Sequence, residues 1–110
     1  MTDKRIVLTT AGSKIEAQKI ARALVERKLA ACVNVVGPIE SVYRWEGAVE
    51  TAEEFLCIVK TTANAVGKVT AAIKELHSYE LPECVAIPIE DGSPKYLAWI
   101  AENVDPATAK

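Results

Sequence analysis

An internal repeat constrains the fold of this chain more than any other feature of its sequence. The segment IVLTTA, beginning at Ile6, matches IVKTTA, beginning at Ile58, when the sequence is shifted by 52 positions against itself. The same shift aligns Cys32 with Cys84. Chance similarity between two β-rich segments is the alternative, but matches in several elements at one unbroken offset favour a duplicated unit.

Hydrophobic periodicity predicts seven elements in the order βαββαβα. They are strands at 4–11, 31–46, 48–61 and 84–90, and helices at 13–28, 64–77 and 94–103. Two βαβ units in one domain, spanning 1–110, predict an α+β, ferredoxin-like fold with an added C-terminal helix. Because βαβ crossovers are right-handed, each half leaves a gap that the other fills, so the antiparallel sheet has the predicted strand order 4-1-3-2.

Local signals predict how these elements begin and which residues they bury. Helix one opens with a capping box, in which Ser13 and Glu16 each bond the backbone N–H of the other. The predicted inward face of helix one comprises Ala17, Ile20, Ala21, Leu24 and Val25. The last helix is predicted to bury Leu97, Ile100, Ala101 and Val104. The last strand is predicted to direct Val85, Ile87 and Ile89 toward the interior. Its other face then carries Cys84, Ala86 and Pro88.

The three cysteines are predicted to be reduced thiols. Their number is odd and no pair has CxxC spacing, which argues against a disulfide framework and against a structural zinc site. The predicted sheet puts Cys32 and Cys84 on opposite edges, ~14 Å apart, so they cannot share a metal or a disulfide within one chain. Cys57 lies in an apolar run of a central strand and is predicted to act as a small hydrophobe.

Charge and hydropathy exclude two classes of partner. The formal net charge is -2, with acidic and basic residues interleaved, so the sequence lacks the basic stripe that nucleic-acid backbones require. No segment approaches the length of a membrane span, and the N-terminus lacks a signal-like apolar stretch. We therefore expect a soluble, cytoplasmic protein that binds neither nucleic acid nor membrane.

The central hairpin predicts self-association. Strands two and three are longer than their neighbours, so the hairpin around Glu46 and Gly47 should project beyond the helices. Alternation places Tyr43 and Trp45 on one face of this projection, as protein interfaces often do. A final helix folded back over Trp45 is the alternative. The open edges of strands two and four also favour closure into a symmetric ring.

Four segments closely resemble the CutA (CutA1) divalent-cation tolerance family. They are KLAACVNVVGPIESVYRWEG (28–47), FLCIVKTT (55–62), LHSYELPECVAIPI (76–89) and YLAWI (96–100). The resemblance implies a homotrimer of ferredoxin-like subunits, similar in architecture to the PII signalling proteins. It also implies a role in tolerance of copper and other divalent cations, with no catalytic reaction.

The resemblance implies a copper site at three positions, of which this chain keeps one. A cysteine late in strand one and two adjacent histidines at the end of helix two ligate copper in some bacterial relatives; those positions here are Thr9, Leu76 and His77. Cys32 matches a cysteine typical of the family and offers a thiolate. The candidate metal ligands are thus His77 and Cys32. Their alternatives are structural: a histidine that caps helix two, and a small residue packed at a sheet edge.

A candidate ligand pocket follows from the same resemblance. Lys60, Tyr79 and Glu83 resemble a polar cluster between subunits, and with Trp45 they are predicted to line a cleft for a small anionic or metal-bound ligand. The loop TTAGSK lacks the arginine of the acylphosphatases, which share this fold plan, and it does not form a P-loop. We therefore expect no enzyme and no obligatory cofactor. Two functions stay open: a metal-binding tolerance protein, and a PII-like trimer that binds a small ligand or a partner protein.

Overall fold

The four predicted strands form one antiparallel sheet in the computed structural model, which describes residues 2–107. The strands are β1 (Lys4–Ala11), β2 (Cys32–Trp45), β3 (Ala48–Thr62) and β4 (Val85–Pro88), and the helices are α1 (Lys14–Glu26), α2 (Val66–Leu76) and α3 (Pro94–Glu102). A 3-10 turn at Ala63–Ala65 precedes α2. The sheet order β2-β3-β1-β4 confirms the predicted fold class and strand order. Residues 1 and 108–110 of the predicted domain lie outside the described residues.

One face of the sheet carries the main core. Val7 pairs with Val59, and both are fully buried. Alternation along the strands directs their side chains toward α1 and α2, where they pack with Ile20, Leu24 and Ile73. Repeated apolar positions in both halves thus produce one shared core.

The opposite face, which we call the open sheet face, is only partly covered within one chain. Alternation and strand register assign to it Ile6, Leu8, Cys32, Asn34, Val36, Leu56, Ile58, Lys60, Val85 and Ile87. Val36, Val85 and Ile87 are 44%, 50% and 42% exposed. The third helix reaches one end of this face, where Lys60 Nζ lies 5.6 Å from the centroid of the Tyr96 ring.

The hairpin of β2 and β3 projects as predicted. Strand β1 pairs with β3 only from Phe55 to Thr62, so within the described residues Ala48–Glu54 pair only with β2. We call this two-stranded part the arm; it comprises Ile39–Trp45 and Ala48–Glu54. Positive φ angles of 50° at Glu46 and 83° at Gly47 close its turn. The described residues accordingly extend 44 × 29 × 21 Å.

The third helix packs against the other end of the molecule. Ile100 and Val104 form a second buried cluster with Ala31 and Ala65, and Trp45 stays 44% exposed. The alternative in which this helix covers Trp45 is therefore wrong. Ala101, predicted to be buried, is exposed because the helix meets the body along a narrower stripe.

Two details of the first helix differ from the prediction. It ends at Glu26 because Lys28 adopts a φ of 60°, and Val25, predicted to face inward, is 41% exposed. Ser13 Oγ accepts a hydrogen bond from the Glu16 N–H at 3.1 Å, so this half of the capping box is confirmed. The reciprocal half is wrong, since the Glu16 carboxylate accepts instead from the Ser78 N–H at 2.7 Å.

The orientation predicted for the last strand is also wrong. Val85 pairs with Leu8 and Ile87 pairs with Ile6, so both side chains lie on the open sheet face. Cys84 precedes the strand and packs against the main core, with its Sγ 3.3 Å from Thr70 Oγ1. Alternation alone fixes which residues share a face, but it does not say which face is buried.

Candidate functional site

A cavity of about 660 Å³ lies where the arm meets the loop between α2 and β4. Three of the four predicted pocket residues line it, namely Trp45 from the arm and Tyr79 and Glu83 from the loop. Tyr43, predicted as an interface residue, lines the same cavity. The alternation of the arm and the entry of the loop beneath it bring these side chains together from distant parts of the chain.

Lys60 does not belong to this cavity within one chain. It lies on β3 six residues beyond Glu54, which is about 20 Å along an extended strand. Its ammonium group lies over the ring of Tyr96. The predicted four-residue cluster is therefore divided between the two ends of the open sheet face.

Glu54 is a pocket residue that sequence reasoning missed. It is only 7% exposed, and a carboxylate oxygen accepts a hydrogen bond from the Tyr79 hydroxyl at 2.8 Å. Burial, followed by this hydrogen bond and the nearby negative charge, raises the pKa of Tyr79 to about 12. Glu53 and Glu54 are adjacent acidic residues, and nothing in the sequence indicates that Glu53 is exposed and Glu54 is buried. Only the strand register shows which of them lines the cavity.

His77 holds the loop that lines the cavity. Its side chain is fully buried, its Nε2 lies 2.6 Å from the Thr10 carbonyl oxygen, and its Nδ1 accepts from the Tyr79 N–H at 3.0 Å. Nε2 therefore carries the proton that it donates to Thr10. The ring also contacts that of Tyr79, with the centroids 4.5 Å apart. Both imidazole nitrogens are thus used to position the loop.

The carboxylate of Glu16 fixes the start of the same loop. It accepts from the Ser78 N–H at 2.7 Å and lies 3.7 Å from His77 Nδ1. Burial raises the pKa of Glu16, but the hydrogen bonds from Ser78 and from the Gly12 N–H, together with the electrostatic effect of the neighbouring His77, outweigh it, so the pKa lies below its usual value. Glu16 is therefore ionised at neutral pH and joins α1 to the pocket loop.

Gly12 provides the space for the Tyr79 ring. A Cβ at this position would lie 3.0 Å from the Tyr79 hydroxyl oxygen, which is tighter than ordinary contacts. The absence of a side chain lets the phenol reach Glu54 across the end of β1.

The predicted metal ligands do not form a metal site within one chain. Cys32 pairs with Lys60 near one end of the sheet, whereas His77 bonds Thr10 near the other. In the part of the chain that the structure describes, no three His, Cys, Asp or Glu residues converge as metal ligands. Thr9, at the position where the family resemblance implies a cysteine ligand, is fully buried. These residues do not fit a copper site in the isolated subunit.

The chemistry of the cavity suits binding. Carboxylates of Glu54, Glu80 and Glu83 line it together with aromatic rings.

The buried thiol of Cys57 lies in the main core, and burial raises its pKa to about 11, so it is protonated and unreactive at neutral pH.

Similar proteins were identified from sequence and from structure. The family model described as CutA1 divalent ion tolerance protein matches residues 5–103. The chain is 48% identical over 100 residues to the divalent-cation tolerance protein CutA of Thermus thermophilus, a match that covers 91% of this chain and 97% of the relative. A CutA homolog of Xenopus laevis is 47% identical over 88 residues, covering 80% of this chain but 58% of that longer relative.

The solved structures agree with the sequence relatives. The Cut A1 structure from Thermus thermophilus superposes with a TM-score of 0.91 at 47% identity and covers 93% of this chain and 99% of that one.

Within the residues described, no helix has the length and apolar character needed to cross a membrane.

Proposed function

Because the chain belongs to the CutA1 divalent ion tolerance family, we propose that it is a non-enzymatic, cytoplasmic homotrimer that acts in tolerance of divalent cations, copper among them. The observation that carries this proposal is the open sheet face. It displays half-exposed valine and isoleucine side chains beside two strand edges that have no partner strand among the described residues. Closing a ring of subunits covers the apolar surface and pairs the edges.

The arm extends the surface available for assembly. Tyr43 and Trp45 are 43% and 44% exposed on a hairpin that lacks a third strand in the described chain. Aromatic residues on an uncovered projection contribute strongly to interfaces because they bury a large area at a small entropic cost. The arm of one subunit is proposed to pack on the next.

Mass measurement in solution tests the assembly. Light scattering should give three times the chain mass of 11.9 kDa. Val36→Asp, on the open sheet face, should dissociate the trimer because it buries a charge in the interface. Val25→Asp is the matched control, since Val25 is 41% exposed on α1 against 44% for Val36. A wild-type mass of one chain, or equal effects of the two variants, would contradict the proposed interface.

Direct copper binding is proposed to occur only in the assembled protein. Cys32 lies near one end of the sheet and His77 near the other, so under this proposal their remaining ligands come from neighbouring subunits. Binding at His77 must also replace its bonds to Thr10 and Tyr79, which favours Cys32 as the stronger donor. The free cysteines support a reducing, cytoplasmic location.

Calorimetric titration with Cu(I), Cu(II) and Zn(II) tests the metal sites. Cys32→Ser should abolish stoichiometric binding, and His77→Gln should weaken it. Cys57→Ser is unsuitable as a control because Cys57 is buried, so Cys84→Ser serves instead. Equal binding by wild type and Cys32→Ser would exclude Cys32 as a ligand.

A second candidate function is a PII-like trimer that binds a small ligand or partner protein between subunits. The formed cavity between the arm and the pocket loop favours it, because its volume lies in the range of small-molecule sites. The first candidate function requires binding of a metal ion, whereas the second requires binding of a small ligand or a partner protein. Separate titrations with metal ions and with such ligands therefore distinguish them.

A further inference from the structure

The loop after α1 and the loop after α2 occupy corresponding positions of the repeat, at the unbroken offset of 52 residues. In the first loop, α1 continues to Glu26, Lys28 turns the chain with a φ of 60°, and Leu29 enters the main core, where it is 1% exposed. The N–H groups of Leu29 and Ala30 donate to the Leu24 carbonyl at 2.9 and 3.2 Å and close this turn. The first loop is therefore a complete, well-bonded conformation.

The second loop, which we call the pocket loop (residues 77–84), has a different conformation. Helix α2 ends at Leu76, before Ser78, the position that corresponds to the end of α1. His77 is extended, and its side chain is fully buried. Glu80 has no positive φ, unlike its counterpart in the first loop, and Leu81 is 74% exposed although its counterpart is buried. The pocket loop thus buries an imidazole and leaves its leucine in water.

Thr9 supplies an independent observation. It corresponds to Thr61 at the same offset, and both residues are fully buried. The Thr61 hydroxyl donates to the Leu29 carbonyl at 2.6 Å, whereas the Thr9 hydroxyl has no partner among the described residues. The carbonyl that corresponds to that of Leu29 belongs to Leu81. Because buried hydroxyls are normally bonded, Thr9 marks the place that the Leu81 carbonyl would take if the pocket loop folded as the first loop does.

From these observations we infer that the pocket loop is a switch with a second position that copies the first loop. In this position α2 continues to Ser78, Glu80 adopts a left-handed conformation, and Leu81 enters the core. The Leu81 carbonyl accepts the hydrogen bond that the Thr9 hydroxyl otherwise lacks. The two positions exclude each other, because a helix that continues through His77 carries this side chain away from the interior.

The second position changes what His77 can bind. Its counterpart at the offset is Val25, which is 41% exposed on α1, so the imidazole moves to the protein surface. The ring then loses its bonds to the Thr10 carbonyl and the Tyr79 N–H, and both nitrogens become available to a metal ion or another polar partner. This consequence for metal binding rests on the proposed function, whereas the two positions of the loop do not.

The observed position is the major one for two reasons. It keeps both hydrogen bonds of His77 and the hydrogen bond from the Tyr79 hydroxyl to Glu54. Pro82 also disfavours the second position, because it lacks the N–H that its counterpart Ala30 donates in the first loop. The second position is therefore a minor state, and substitutions can raise or lower its population.

Chemical modification of the single histidine measures this population. Diethyl pyrocarbonate acylates an exposed imidazole nitrogen, and peptide mass spectrometry measures the modification at His77. The ring is fully buried in the observed position, so it reacts only when the loop opens. The rate then follows the open fraction, provided that the loop exchanges faster than the reagent reacts. The full-length protein is used with a chelator present, so that no metal ion contributes.

Two substitutions should change the rate in opposite directions. Glu80→Gly relieves the left-handed backbone of the second position and should raise the rate about tenfold. Thr9→Val removes the hydroxyl that bonds Leu81 in that position and should lower the rate about fivefold. Lys28→Gly is the matched control, because it makes the same kind of change in the first loop, and it should leave the rate unchanged.

A double variant separates the switch from simple loosening of the loop. Glycine makes any loop more mobile, but only the second position needs an apolar side chain at residue 81. Glu80→Gly combined with Leu81→Ser should therefore return the rate to that of the parent protein or below. A rate that stays high in the double variant, or that is equal in Thr9→Val and the parent, would overturn the inference.

The assembled mass provides a further check. If Leu81→Ser lowers this mass, Leu81 is a contact with another copy of the chain, and the inference fails because its exposure in one chain then has another cause. If the modification rates behave as expected while calorimetry detects no metal ion, the switch stands and the proposed metal binding fails.

Discussion

Two buried threonines on neighbouring strands differ in a single hydrogen bond. Thr9 on β1 and Thr61 on β3 are both fully buried. The Thr61 hydroxyl donates to the Leu29 carbonyl at 2.6 Å, whereas the Thr9 hydroxyl has no partner among the described residues. A buried polar group without a partner loses its hydrogen bonds to water and forms none with the protein, so its burial is destabilising.

Valine substitutions should therefore act in opposite directions at these two positions. Thr9→Val keeps the shape of the side chain and removes the unpaired hydroxyl, so it should stabilise the protein by ~1 kcal/mol. Thr61→Val leaves the Leu29 carbonyl unsatisfied and should destabilise it by ~1–3 kcal/mol. Urea unfolding at one fixed protein concentration measures both changes. Destabilisation by Thr9→Val comparable to that by Thr61→Val would show that the Thr9 hydroxyl has a partner.

The titration of Tyr79 reports on the contact with Glu54. Its pKa of about 12 means that the folded protein keeps this proton between the normal tyrosine pKa of 10.0 and 12. The folded state then binds more protons than the unfolded state, so this contribution to stability is complete below pH 10.0 and is lost as the pH rises through about 12.

Tyrosinate absorbance should accordingly show one tyrosine of three ionising later than the others. Glu54→Gln removes a neighbouring charge and should move this late ionisation toward lower pH. Glu53→Gln, one residue away on the opposite strand face, should not. A late phase that is identical in all three proteins would mean that Glu54 does not influence Tyr79.

At the residue scale, the sequence identified the pocket loop but not its connections. His77 was predicted at the end of helix two, and it lies there as the C-cap of α2. Its bonds to Thr10 and Tyr79 join residues far apart in sequence, and the choice of Glu54 over Glu53 depends on strand register. Such contacts arise from tertiary packing, which a periodic pattern does not encode.

At the element scale, the arm depends on a turn with two left-handed residues. Gly47 has a φ of 83°, where a Cβ is strained even though no atom lies within 4 Å of the position it would take. Gly67 lies in α2, also with no atom within 4 Å, but without a positive φ. Since a Cβ would meet no atom at either position, a difference between the two substitutions reports the backbone strain at Gly47 alone.

Alanine substitutions should distinguish these roles. Gly47→Ala should destabilise the protein by ~1 kcal/mol because it strains the turn. Gly67→Ala should stabilise it by up to ~1 kcal/mol through helix propensity. Thermal unfolding of both variants at equal concentration provides the measurement. Stabilisation by Gly47→Ala would indicate that the turn relaxes to another type.

The elements themselves were the most predictable part of the fold. The repeat that begins at Ile6 and Ile58 placed both halves, and the crossover rule gave the sheet order that the structure confirms. The last strand was less predictable: it spans only Val85–Pro88, and its apolar side chains lie on the open sheet face. In an edge strand whose open face is proposed to meet another chain, hydrophobic alternation does not distinguish an interior from an interface.

At the scale of the whole molecule, the open sheet face, the arm and the cavity form one surface. The cavity lies beside the arm, and Lys60 lies at the far end of the same face. The proposed trimer would cover this face and bring residues of different subunits near each other, as the proposed metal site requires. Assembly and ligand binding are therefore coupled in the proposed function.

Native mass spectrometry with added copper measures this coupling most directly. We predict an ion of three times the chain mass of 11.9 kDa that retains copper, and a Val36→Asp monomer that retains none. A wild-type protein that is monomeric, a trimer that retains no copper, or a Val36→Asp monomer that retains copper would contradict a metal site formed between subunits.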